Sequence, residues 1–90
     1  MDQQLPEPSF QIIISTFATQ AAVALGQIAN PVTNETSEDL EQAKFAIDVL
    51  TILEEKTKGN LTDEEERFIR DLLFELRMKF VETSKEAGGG

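Results

Sequence analysis

The chain has 90 residues, with 17 Asp and Glu against 8 Lys and Arg, for a net charge of −9. It contains no His, Cys, Tyr or Trp. That excludes Cys and His nucleophiles, Ser-His triads, His-ligated zinc, disulfides and thiol redox chemistry. Such acidity without a basic stripe also argues against nucleic acid as a partner.

The length sets one domain at most, and such a domain buries roughly 64% of the surface its unfolded chain exposes. Its core is therefore thin. Charge is placed unevenly: residues 9–34 contain no Asp, Glu, Lys or Arg, and only Asp2 and Glu7 precede that gap. An apolar stretch without charge belongs in a core, an interface or a membrane. Asp2 and Glu7 stand where a secretory signal would carry bases, so residues 1–8 read as a flexible lead-in and not as a signal. The only candidate for a span is Phe10 to Ile28. Gln11, Gln20 and Gln27, with Ser15, Thr16 and Thr19 between them, favour a soluble, buried helix there. The absence of cysteine agrees with a cytoplasmic location.

The first helix is expected over about residues 9–28. Ser9 is a good N-cap, because its hydroxyl accepts a hydrogen bond from an orphan N–H of the first turn. Pro8 blocks extension backwards, and Asn30-Pro31 provides a stop. Ile14, Phe17, Ala21, Leu25 and Ile28 form a bulky ridge at helical spacing. Beside it runs a small stripe of Ser15, Ala18, Ala22, Gly26 and Ala29, which lets another backbone approach closely. Gly26 either serves that approach or simply ends the last turn. Ile14, Phe17, Ala18, Ala21, Ala22, Leu25 and Gly26 are the candidate self-association residues.

After the turn-rich Asn30–Thr36 connection, a second helix is expected over about 37–58, capped by Thr36 or Ser37. Glu38, Asp39 and Glu41 complement its positive end. Leu40, Ala43, Ile47, Leu50 and Leu53 make the seam, and Phe45, Val49 and Ile52 a second apolar face. Gly59 suits a left-handed stop.

The third helix, about 62–85, opens on Thr62-Asp63-Glu64-Glu65, a full capping box. Ile69, Leu72, Leu73, Leu76 and Phe80 face the core, widened by Phe68 and Val81. Glu66–Arg70 and Glu75–Lys79 are spaced for exposed ion pairs. Gly59-Asn60-Leu61 makes the last two helices an αα-hairpin. The expected fold is all-α: an uncharged N-terminal helix packed on a C-terminal αα-hairpin over residues 9–86, completed by homo-oligomerisation. A dimer is favoured because symmetric dimers are the commonest closed assembly. Residues 87–90 read as a flexible tail, with Gly88-Gly89-Gly90 either native or a cloning remnant.

The chemistry candidates are weak. Asp63-Glu64-Glu65-Glu66 point in four directions around a helix and cannot converge on one metal ion, so the run reads as capping. Helical di-metal sites need Glu-x-x-His motifs, and there is no His. Asp48 either forms a buried ion pair with Arg70 or Arg77 or an exposed one with Lys44. Lys56-Thr57-Lys58-Gly59-Asn60 lacks the phosphate-loop pattern and reads as a helix stop. No catalytic, cofactor-binding or metal site is expected.

Several segments carry a family resemblance: Pro8-Ser9-Phe10, Ala18-Thr19-Gln20-Ala21 through Ala24-Leu25-Gly26, Leu53 through Thr62, and Leu76-Arg77-Met78-Lys79-Phe80-Val81. Glu55-Lys56-Thr57-Lys58-Gly59-Asn60-Leu61-Thr62 is the most specific part. Over roughly residues 8–82 the chain resembles the small bacterial family of domain of unknown function 1844. The resemblance implies a bacterial, all-helical protein and supplies no activity or functional residue. Two functions fit the residues: a self-associating interaction module that also engages an unidentified protein, or a membrane-associated accessory protein using the first helix. An interfacial helix ordinarily carries Lys or Arg on its polar face, which the first helix lacks.

Overall fold

The computed structural model describes residues 7–87. The expected flexible ends, 1–8 and 87–90, lie outside the described residues apart from Glu7, Pro8 and Ala87. The glycine tail lies wholly outside them. Among the described residues the fold is all-α, with α1 (Phe10–Ala24), α2 (Leu40–Lys56) and α3 (Asp63–Ala87).

α1 starts where the sequence places it. Ser9 has extended backbone, and its Oγ accepts from the Ile12 N–H at 3.2 Å. α1 stops four residues before the expected end, and the cause is Gly26. Its φ of 77° lies in the left-handed region, which glycine enters without the penalty a Cβ brings. The Gly26 N–H donates to the Val23 carbonyl at 3.0 Å and the Gln27 N–H to the Ala22 carbonyl at 2.9 Å. These are the two bonds of a Schellman cap. Gly26 is therefore a helix stop, not an interior contact residue.

The chain then turns sharply. Asn30 Oδ1 accepts from the Val32 N–H at 2.7 Å, and Asn34 takes a φ of 62°, which Asn tolerates better than most side chains. The returning strand of chain is tied to the end of α1, because the Asp39 N–H donates to the Ala24 carbonyl at 2.7 Å. Asp39, not Thr36 or Ser37, caps α2: its Oδ1 accepts from the Gln42 N–H at 3.2 Å. The tie to Ala24 holds Asp39 extended and sets the start of α2 later than residue 37.

At the far end of α2, Thr57 is the C-cap and Gly59 has a φ of 88°. The left-handed stop is thus at Gly59, two residues beyond the cap. The capping box of α3 forms in both directions. Glu65 N–H donates to Thr62 Oγ1 at 3.1 Å, and Thr62 N–H donates to Glu65 Oε1 at 2.9 Å.

The core lies where the three helices meet. Ile14, Ala21 and Leu25 come from α1 and its cap, Ala43, Ala46, Ile47 and Leu50 from α2, and Ile69, Leu73 and Leu76 from α3. Leu40, Leu53, Leu72 and Phe80 pack around them. α1 packs more extensively on α2 than on α3, which leaves the α1–α3 seam open. The molecule measures 41 × 40 × 16 Å. Packed helix axes lie about 8–10 Å apart, so 16 Å of backbone thickness is two helix layers. A slab this thin leaves the outward faces of α2 and α3 without a cover. Among the described residues, no helix is long and apolar enough to cross a membrane.

Candidate association surface

The open seam is an apolar groove of about 680 Å³ between α1 and α3. Ala18 and Ala22 line it from α1, and Leu72, Phe74 and Met78 from α3, with Ile28 beyond the end of α1. Glu75, Lys79 and Glu82 edge it. Ala18 and Ala22 are small, and an open groove remains where bulkier residues would fill the space against α3.

The seven candidate association residues divide sharply. Ile14, Ala21 and Leu25 are buried in the core of this one chain. Most of the bulky ridge therefore fills the fold itself, while Ile28 at its end is exposed on the groove. Phe17 is half-buried and packs against that core. Gly26 is occupied by the helix stop, with Glu38 Cγ only 3.2 Å from where its Cβ would sit. Ala18 and Ala22 alone line the groove.

The apolar residues that face solvent lie elsewhere. On α3, Phe74 is 63% exposed, Val81 51% and Met78 48%. Their spacing of four and three residues puts them on one stripe. Met78 lies nine residues from the fully buried Ile69, which is about 180° around a helix. The stripe therefore stands on the side of α3 away from the core; Phe74 and Met78 border the groove, and Val81 lies toward α2. On α2, Phe45 and Ile52 are also exposed and Val49 half-buried. The expected second apolar face of α2 exists, and it faces outward. Phe68 and Val81, expected to widen the core face of α3, are instead exposed and do not pack against the core.

The electrostatics single out the α1–α3 side. Residues 70–86 carry Arg70, Arg77, Lys79 and Lys85 against Asp71, Glu75, Glu82 and Glu86, which is four against four. Residues 9–34 carry no charge, so the net charge of −9 lies outside residues 9–34 and 70–86, and α3 is acidic only over its first turn and a half.

The remaining candidates for chemistry resolve into surface structure. Lys44 Nζ and Asp48 Oδ2 are 2.8 Å apart and both side chains are mostly exposed, so Asp48 takes the exposed pairing. Arg77 instead donates to Thr51 Oγ1 at 2.9 Å. The ion pairs expected at Glu66–Arg70 and Glu75–Lys79 do not form; Arg70 approaches Asp71 at 3.6 Å and Lys79 approaches Glu82 at 3.7 Å. Asp63 to Glu66 fill the first turn of α3, as a capping role requires. Among the described residues there is no cluster of three acids, His or Cys that would hold a metal.

Sequence reasoning missed Phe74 and Met78 as surface residues. The signal was present: counting 100° per residue from Ile69, Leu73 and Leu76 places them on the far side of the helix. A family model described as a domain of unknown function, DUF1844, matches residues 7–82. No curated protein and no solved structure matches the chain.

Proposed function

The chain belongs to the DUF1844 family of unknown function, and we propose that it is a non-catalytic interaction module of the cytoplasm that self-associates through the α1–α3 groove. The observation that carries this reading is the coincidence of apolar exposure and charge neutrality on one side of a strongly acidic protein. Two chains of charge −9 repel wherever their acidic surfaces meet. The groove is where they approach without that cost, and covering Phe74 and Met78 removes apolar surface from water. A contiguous apolar surface rimmed by polar groups is how interaction sites present themselves on soluble proteins. A basic partner would instead seek the acidic α2 and the start of α3.

Sedimentation velocity of the full chain, alone and with Phe74→Glu or Phe45→Glu, tests the reading. Self-association lost with Phe74→Glu and kept with Phe45→Glu supports the groove. The reverse pattern moves the contact to α2. A monomer in every case removes self-association altogether.

A further inference from the structure

Resting on that reading, we infer that the two copies meet along α3 in an antiparallel, twofold-symmetric contact with Met78 at its centre, so that Asp71 of each copy faces Lys85 of the other. The argument starts from the order of residues on the exposed stripe. Asp71 and Lys85 each lie seven residues from Met78, within about 20° of it around the helix and about 10.5 Å from it along the axis. The stripe therefore reads acid, Phe74, Met78, Val81, base. Such a stripe matches a second copy of itself only when the copy is reversed. A parallel copy sets Asp71 against Asp71 and Lys85 against Lys85.

Both end groups are available. The side chain of Asp71 is 69% exposed and has only its sequence neighbour Arg70 at 3.6 Å. Lys85 is exposed and forms no ion pair among the described residues. They stand about 21 Å apart on one helix, too far to pair within a chain. On the α1 side of the stripe, Lys79 approaches Glu82 at 3.7 Å and lies one turn from Glu75. A reversed copy sets Glu75 of one chain near Glu82 of the other, with the two Lys79 side chains between them. A twofold contact also closes on itself, which fits a dimer and not a filament.

The test is a charge exchange in the full chain, read as the dimer dissociation constant by sedimentation equilibrium. Asp71→Lys alone and Lys85→Asp alone each weaken the dimer by about tenfold, since each replaces two attractive pairs with two repulsive ones. The double variant Asp71→Lys/Lys85→Asp returns to near the parent value, and so does an equal mixture of the two single variants. The chain has no cysteine, so Met78→Cys gives a single-thiol protein that forms a disulfide-linked dimer on mild oxidation if Met78 lies on the axis. A dimer with no rescue in the double variant and no crosslink at Met78 overturns this geometry while leaving self-association in place. A monomeric parent chain overturns both.

Discussion

The two faces of α3 are made from similar residues and have opposite fates. Ile69, Leu73 and Leu76 are buried against α1 and α2. Phe74, Met78 and Val81 are as bulky, lie on the same helix, and stand about half in water. Hydrophobicity alone does not separate them; the angle around the helix does. The inner face holds the fold together, and on our reading the outer face awaits a second chain. The comparison predicts that substitutions on the inner face act on folding and those on the outer face on association.

The largest separation is expected from Leu73→Ala. Leu73 is fully buried, so truncation costs about 2–5 kcal/mol. In a chain of this size that is a large share of the total stability, and urea denaturation at a fixed protein concentration measures it. Gly26→Ala comes next. It places a Cβ at a φ of 77° and 3.2 Å from Glu38 Cγ, and the left-handed conformation alone costs about 1–2 kcal/mol. The loss appears as a lower urea midpoint, with the groove residues untouched. A midpoint unchanged by Gly26→Ala would mean that α1 does not end where the structure ends it.

Thr62→Ala removes one half of the reciprocal capping box and costs about 1 kcal/mol in the same assay. Met78→Gln sharpens the comparison most. Monomer stability, measured at a dilution where the chain is dissociated, changes by less than about 0.5 kcal/mol, while the dimer weakens. A stability loss comparable with that of Leu73→Ala would place Met78 in the fold and erase the distinction between the two faces. The smallest effect belongs to Lys44→Ala. Its ion pair with Asp48 is exposed, and losing it shifts stability by at most about 0.5 kcal/mol.

Much of the fold was legible because the local rules were not in conflict. Ser9 and the Thr62–Glu65 box specify helix starts through hydrogen bonds among near neighbours, and both form. The α2 seam and the inner face of α3 follow from spacing alone. Two boundaries were not legible, since each depends on a contact between distant parts of the chain. α2 begins at Leu40 because Asp39 is bonded to Ala24, a tie that nothing in the local run of residues 36–39 announces. Gly26 reads equally well as a packing residue or a stop until Glu38 is seen beneath it. The candidate surface was half legible for the same reason. The alternation of bulky and small residues on α1 is plain in the sequence, but which of the two stripes meets α2 is a tertiary choice. Ile14, Ala21 and Leu25 of the bulky stripe went inward, and Ala18, Ala22 and Ile28 were left on the groove. Phe74 and Met78 were overlooked because α3 has enough apolar residues to satisfy a core without asking where the others point.

The most direct measurement is the mass of the intact chain in solution, by light scattering coupled to size exclusion without detergent, over a range of concentrations. The account predicts a species at twice the 10.0 kDa of one chain, giving way to the monomer on dilution. A single species of one chain's mass at every concentration would contradict it, and would leave Phe74, Met78 and Val81 without a partner of their own kind.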